Sequence, residues 1–238
     1  MNINAGKMHF KDLNQQIKAA EDKTVVVDHC IGQRYIGSGL ADKKIVINGT
    51  PGNALGAYLD GSEIRVNGNA QDATGDTMND GAIYIAGSSG DATGYAMRGG
   101  KIFVNGDVGY RAGIHMKEYR EKSPVLVIGG CAGSFLGEYQ AGGTIIVLGI
   151  DRQRPVGNFC GTGMHGGRIY LRCDELPPDL PPQIVANRAN QDDMGAIRAY
   201  IEEFCEAFGR KKDAVTNANF FVLRPDSKNP YKQLYTQN

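Results

Sequence analysis

Residues 94–106 read GYAMRGGKIFVNG, and this stretch contains the unit from which most of the chain is built. Its first glycine is followed three positions later by Met97, then by a Gly-Gly pair, and then by the strand-like run Ile102-Phe103-Val104. The same unit recurs with a period of 19 residues, with strand starts at Ile45, Ile64, Ile83 and Ile102. The chain is therefore a repeat protein, and its period decides the fold class.

Two further columns follow this period. Glycines recur at Gly37, Gly56, Gly75, Gly94 and Gly113, and the series resumes after insertions at Gly137 and Gly161. Large unbranched apolar residues lie three positions after these glycines, at Leu40, Leu59, Met78, Met97, Met116 and Met164. We expect the glycines to form backbone corners, where a Cβ atom is excluded, and the apolar column to fill the interior.

A period of 19 is too short for repeats made of helix pairs, which need about 33 residues or more. Each unit has one short β-branched run with alternating apolar residues, and the rest is rich in Gly, Asn, Asp and Thr. Stacked units would pair each strand with its equivalent in the next unit. The predicted fold is therefore all-β: a single-stranded right-handed parallel β-helix of about 7–8 coils, with a small N-terminal helix and a C-terminal helical and extended tail.

The sequence divides into three predicted regions. Residues 1–24 form an N-terminal helical cap, with the helix at 11–23, and residues 25–173 form the repeat domain. Residues 174–238 contain a proline-rich linker, a helix at about 191–209 and an extended segment at 219–231. The helix has an apolar stripe at helical spacing and a glycine stop at Gly209.

Composition excludes several functional classes. The 26 basic and 26 acidic residues cancel, so no net charge attracts nucleic acid or an anionic membrane. No apolar run is long enough to span a bilayer. The five cysteines lack the close spacing of zinc or iron–sulfur sites, and their odd number without a signal peptide favours a cytoplasmic location.

Residues 161–168, GTGMHGGR, match the glycine spacing of a dinucleotide-binding loop. A strand follows them, however, where that loop needs a helix, so the glycines belong to a repeat corner. Adjacent strand residues such as His29 and Cys30 point to opposite faces, which disfavours a catalytic pair. The sequence thus predicts no catalytic, cofactor-binding or metal-binding residue.

The predicted binding surface lies on the outside of the repeats. Arg98, Arg111 and His115 belong to consecutive units and form one candidate polar patch. Two insertions, KEYREK at 117–122 and IDRQRPVGN at 150–158, interrupt the period, and the second supplies Arg152 and Arg154. Insertions into repeats often form the binding face, so these five residues are the candidates for partner docking. A solvated surface is the alternative interpretation.

The repeat at 94–106 resembles the GXGXG domain that forms the C-terminal part of the glutamate synthase large subunit and that also occurs, as a separate polypeptide, in formylmethanofuran dehydrogenase. The resemblance covers about 25–173. The tail also resembles that of glutamate synthase at AYIEEFCEAFGRKKDAV (199–215) and NFFVLRPDSKNPYKQ (219–233), although Leu223 replaces a lysine and a Thr-Gly-Ser motif is absent.

This resemblance implies a non-catalytic structural subunit of a split, multi-subunit glutamate synthase-like oxidoreductase. Its partners would be a flavin-containing subunit and a glutaminase-type subunit, and FMN and the iron–sulfur cluster would reside only in those partners. A homo-oligomer is a further option. The alternatives are the equivalent subunit of a formylmethanofuran dehydrogenase or methylglutamate synthase-type complex, and a stand-alone carbohydrate-active protein.

Overall fold

The three-dimensional structure, a computed structural model, describes residues 1–226. This part of the chain contains eleven strands: β1 (Asn2–Asn4), β2 (Thr24–Ile31), β3 (Lys44–Thr50), β4 (Asp60–Asn67), β5 (Asp80–Ile85), β6 (Lys101–Val104), β7 (Val125–Ile128), β8 (Ala141–Val147), β9 (Gly166–Arg172), β10 (Ile184–Arg188) and β11 (Phe220–Pro225). It also contains three helices: α1 (Phe10–Ala19), α2 (Gln191–Phe208) and α3 (Lys212–Thr216). The helix predicted at 11–23 ends earlier, at Ala19, and residues 227–231 of the predicted extended segment lie outside the described residues.

All eleven strands belong to one open sheet, in the order β1-β2-β3-β4-β5-β6-β7-β8-β9-β11-β10. The strands are parallel from β1 to β9, and β11 and β10 then add in antiparallel orientation. The register follows the sequence period, since Ile64 lies beside Ile45 on one side and Ile83 on the other. The first insertion lengthens the step, so that Ile102 pairs with Leu126.

The structure corrects the predicted fold class. A parallel β-helix was the prediction, and it was wrong: the described residues form a single mostly parallel sheet that does not close, accompanied by three helices. Each repeat supplies one strand, and the remainder consists of turns that are hydrogen-bonded to neighbouring repeats and form only isolated β-bridges, such as Ser89–Val108 and Val108–Ala132. The prediction failed because alternate turn positions have a left-handed backbone, which is incompatible with an extended strand. The turns therefore add no further strands that could close the sheet.

The sheet buries both of its faces over part of its length. Its inner face packs against the turns of the same repeats, with Ile45, Ile64 and Ile83 fully buried. On the outer face, α2 covers β5 to β9 with Ile197, Phe204 and their neighbours. Two apolar layers therefore lie on opposite sides of one sheet.

Helix α2 has well-defined ends. Asn190 accepts a hydrogen bond from the backbone of Asp193, whose own side chain accepts from the backbone of Asn190, which is a capping box. Asp193 also pairs with Arg224 of β11, which ties the start of the helix to the antiparallel end of the sheet. Gly209 ends the helix in the left-handed conformation, with φ 64°.

No helix within residues 1–226 is both long and apolar enough to cross a bilayer. The cytoplasmic location stays a prediction.

Candidate interaction surface

The turns of the repeat alternate in backbone handedness. In one repeat Arg111, Gly113 and His115 all have positive φ, at 56°, 67° and 56°. Their N–H groups point alternately to the two neighbouring repeats: Arg111 donates to Ser134, and Gly113 donates backwards to Thr93. Each turn is therefore hydrogen-bonded to the repeats on both sides.

The predicted corner glycines occupy the middle of these turns. All seven have φ between 63° and 76°: Gly37, Gly56, Gly75, Gly94, Gly113, Gly137 and Gly161. A Cβ atom at Gly75 would also lie 2.3 Å from Cδ1 of Ile102, so that position excludes a side chain on two grounds.

Two further left-handed columns carry non-glycine residues, and neither was predicted from the sequence. One consists of Tyr35, Ala54, Ala73, Ala92, Arg111, Phe135 and Phe159. The other includes Tyr58, Thr77, Ala96, His115 and Tyr139. Residues other than glycine seldom adopt this conformation, so their residue types do not indicate it. The repeat spacing is the only sequence signal that could have located these columns.

The predicted interior column lies beneath these turns. Leu59, Met78, Met97, Met116 and Met164 have no exposed side-chain surface, whereas Leu40, at the N-terminal end, is partly buried against the core. The column position 140 holds Gln140 instead, which is also fully buried, and its amide donates to the carbonyl groups of Gly142 and Gly143.

In the later repeats, the left-handed columns place aromatic and cationic side chains in contact. The ring of His115 stacks on Tyr139 with centroids 5.3 Å apart, and Tyr95 meets His115 edge-on at 6.0 Å. Phe135 stacks on Phe159 at 5.1 Å. We call this surface the aromatic corner: Tyr95, Arg111, His115, Phe135, Tyr139 and Phe159.

Arg111 packs against Phe135 within the aromatic corner. Its guanidinium lies 4.9 Å from the ring centroid of Phe135 and donates to Glu138 at 3.0 Å. A cation over an aromatic face is attractive, and the carboxylate fixes its position. The corner is nevertheless open to solvent, since Phe159 is 50% exposed and Tyr95 is 39% exposed.

The structure brings only two of the five predicted docking residues, Arg111 and His115, into this corner. Arg152 donates two hydrogen bonds to Asp107, at 2.8 and 3.1 Å, and Arg154 pairs with Asp179 at 2.6 Å. Arg98 lines a separate cleft beside the first insertion. The Arg152 guanidinium holds the pKa of the Asp107 carboxyl below its ordinary value, with burial acting in the opposite direction.

The cysteine side chains lack the environment that activates a thiol. Burial is the main cause that raises the pKa of all five, to about 12 for Cys160 and about 11 for Cys173. Cys30 is buried and its thiol faces Gln33, while the neighbouring His29 is exposed. A nucleophilic cysteine needs a thiolate, which these surroundings disfavour.

Over residues 1–226, no three His, Cys, Asp or Glu side chains are grouped as a metal site would require.

Comparison with known proteins places the repeat in a family. The family model described as "GXGXG motif" matches residues 8–225. The chain belongs to the GXGXG motif family. The stacked turns, corner glycines and single strand per repeat described above are therefore features of a GXGXG protein.

Two individual proteins are similar to this GXGXG chain. The uncharacterized protein MJ1350 of Methanocaldococcus jannaschii is 45% identical over 249 positions, which cover 98% of this chain and 95% of the relative. A chain in the crystal structure of the formyltransferase/hydrolase complex FhcABCD from Methylorubrum extorquens, determined with methylofuran, superposes with a TM-score of 0.62. That match has 19% identity and covers 84% of this chain and 72% of the other, so it shows a shared fold.

Proposed function

We propose that this chain is a non-catalytic structural subunit of a multi-subunit enzyme and that it binds its partner through the aromatic corner. The observation that carries the proposal is the change of residue type along one left-handed column. After Tyr35 in the first turn, Ala54, Ala73 and Ala92 fill this column in three consecutive repeats, whereas Arg111, Phe135 and Phe159 fill it later.

This change separates what the backbone needs from what the surface provides. Alanine satisfies the turn in three repeats, so the turn itself does not require a large side chain. The later side chains are partly exposed and contact one another. They therefore leave apolar surface in contact with water and do not add to the buried core. Tyr, Phe and Arg are enriched at protein interfaces, where such groups are covered by a partner.

The first candidate assembly is a split glutamate synthase-like oxidoreductase. It rests on the resemblance of the repeat and of the tail at 199–215 and 219–233. In this assembly the chain would bind a flavin-containing subunit and a glutaminase-type subunit. That this chain itself holds no cofactor stays a prediction.

The second candidate is a complex of the formylmethanofuran dehydrogenase type. The specific observation that favours it is the fold shared with a chain of the FhcABCD complex. The two candidates differ in the partner, because the second predicts a molybdopterin-containing or formyltransferase-type subunit in place of a flavoprotein.

Purification of the chromosomally tagged chain from its native source tests the proposal. We expect stoichiometric partner subunits by mass spectrometry, with FMN fluorescence for the first assembly and molybdenum or formyltransferase activity for the second. A chain that elutes alone at its own mass, under mild salt and in the soluble and membrane fractions alike, would contradict the proposal.

A matched pair of variants tests the docking surface. The double variant His115→Asn/Tyr139→Asn removes two stacked rings, while asparagine tolerates the left-handed backbone. The control, Tyr58→Asn, removes an exposed ring of the same column in an early repeat, where φ is 58°. We expect the double variant to lose its partners and the control to retain them, both with an unchanged circular dichroism spectrum.

A further inference from the structure

The first insertion folds over the repeats and encloses a cleft of about 520 Å³. The cleft is lined by Asp60, Asn79, Arg98, Tyr119, Arg120, Glu121 and Lys122. Residues 119 and 122 form a tight antiparallel turn through two backbone hydrogen bonds, of 3.0 and 3.1 Å. The insertion therefore has a defined shape and forms one wall of the cleft.

Side chains from the strands anchor this wall. The ammonium group of Lys122 lies 3.0 Å from Asp80 and 3.4 Å from Asp60. The crossing is close, because a Cβ atom at Gly99 would lie 3.0 Å from Cβ of Lys122 and 2.3 Å from the carbonyl oxygen of Asn79. Glycine at position 99 thus allows the insertion to approach the backbone of the preceding repeat.

Arg98 differs from the other arginines among the predicted docking residues. Arg111, Arg152 and Arg154 each pair with a carboxylate, but Arg98 has no ion-pair partner among residues 1–226. Its Nε atom is buried and has no hydrogen-bond partner there. Because Arg98 also lines the cleft, an anion that enters the cleft would supply the charge partner that the described residues do not.

Arg98 is a cation of the cleft that no carboxylate of the described residues neutralises. Lys122 is shared between Asp60 and Asp80, whereas Arg98 forms no ion pair among residues 1–226. A guanidinium presents a planar fork of N–H donors that fits the two oxygens of a carboxylate or phosphate. We propose that this cleft binds a small molecule through a carboxylate or phosphate oxyanion and that Arg98 is the residue that recognises it.

Titration of the full-length chain with inorganic phosphate and with succinate tests this site and separates the two oxyanion chemistries. Isothermal titration at ionic strength balanced with NaCl should detect binding of at least one anion at concentrations up to about 20 mM. Arg98→Gln should weaken that binding by about tenfold or more, because it removes a charge-assisted pair. The control Arg152→Gln removes an arginine that is already paired and should leave the affinity unchanged.

A second readout uses the unmodified chain. The Arg98 Nε–H resonance in a ¹H–¹⁵N spectrum should shift on saturation with the anion, and the resonances of Arg111 and Arg154 should stay in place. Absence of binding by both anions, or equal affinity of the Arg98→Gln variant, overturns the proposal. These measurements use the isolated chain, so their outcome is independent of whether a partner subunit is found.

Discussion

The outer face of the sheet has two halves that the same repeat builds with different side chains. In the open half, β2 to β4, the outward positions hold Val26, Val46 and Arg65, all partly exposed. In the covered half, β5 to β9, the equivalent positions hold the buried residues Tyr84, Phe103, Val127, Ile146 and Tyr170. The inward positions are apolar in both halves, so the repeat itself determines the inner face while α2 determines the outer one.

The boundary between the halves is built from specific contacts. The guanidinium of Arg65 lies 4.1 Å from the ring centroid of Tyr84, which stacks on Phe103 at 5.1 Å. From the helix, Glu203 accepts a hydrogen bond from the Tyr84 hydroxyl at 2.7 Å and pairs with Lys101 at 2.7 Å. The outer face of the sheet thus changes from solvated to buried between one strand, β4, and the next, β5.

The largest expected effect comes from uncovering the buried half. Phe204 of α2 is fully buried, and its ring approaches the backbone at Gly129, where a Cβ would lie 2.7 Å from Cζ. Phe204→Ala should lower the free energy of unfolding by about 3–5 kcal/mol, because it leaves a cavity between the helix and the sheet. Urea denaturation of the full chain measures this loss.

The open half provides the control. Val46→Ala removes partly exposed apolar surface and should cost about 1 kcal/mol or less. If the two variants lose equal stability, α2 does not stabilise the outer face and the two halves do not differ in energy.

Sequence reasoning located the inner face of the sheet because both of its determinants are local. Alternating residues such as Ile45 and Ile47 mark a buried strand face, and the 19-residue spacing fixes the register. The apolar stripe of α2 likewise predicted a helix with one buried face. The stripe does not specify its partner, so the covered half could not be predicted from it.

The turns and the candidate surface were harder to predict for a physical reason. Glycine indicates a left-handed backbone, but Ala92, Arg111 and Phe135 adopt it within turns whose hydrogen bonds to both neighbouring repeats hold the backbone in place. The predicted fold class failed at the same point, since each strand is followed by turns of this kind and the sheet stays open. Charge pairing also depends on distant repeats, as with Arg152 and Asp107.

The second effect concerns the hydrogen bond between Tyr84 and Glu203. Burial, and then the nearby Glu203 carboxylate, raise the pKa of the Tyr84 hydroxyl above its ordinary value. The protonated hydroxyl therefore stabilises the folded chain below the unfolded tyrosine pKa of about 10, and this contribution is lost as the pH rises above that value. Tyr84→Phe should cost about 1–2 kcal/mol at neutral pH.

Denaturation at several pH values checks this prediction. The difference in unfolding free energy between the wild-type chain and Tyr84→Phe should shrink above about pH 10. Tyr95→Phe, at an exposed position, is the control and should show a constant difference. A Tyr84→Phe difference that does not change with pH would mean that the hydroxyl does not contribute through Glu203.

The third effect tests the boundary itself. A double-mutant cycle of Arg65→Gln and Tyr84→Leu should give a coupling energy of about 0.5–1 kcal/mol, as expected for a cation over a partly exposed ring. A second cycle that combines Arg65→Gln with Phe103→Leu should give almost no coupling, because Phe103 lies on the far side of Tyr84, one strand further along the sheet. Equal coupling in both cycles would indicate a general repacking of the sheet.

The smallest effect lies wholly in the open half, at the pair of Lys44 and Glu63. Their atoms are 3.2 Å apart and both side chains are substantially exposed. Burial acts to raise the pKa of Glu63, but hydrogen bonds from Arg65 and Lys44 outweigh it and hold the pKa below its ordinary value. Lys44→Gln should therefore cost no more than about 0.5 kcal/mol near neutral pH.

The dependence on conditions distinguishes this pair from the contacts of the covered half. A lowered carboxyl pKa stabilises the folded chain above the unfolded value of about 4.3, and that contribution disappears as the pH falls below it. The Lys44→Gln effect should thus vanish in acid and also in about 0.5 M salt, where exposed charges are screened. The loss caused by Phe204→Ala should survive the same salt, because apolar burial does not depend on screening. Chemical denaturation of both variants with and without salt measures the contrast, and a salt-resistant Lys44 effect would show that the open half is covered after all.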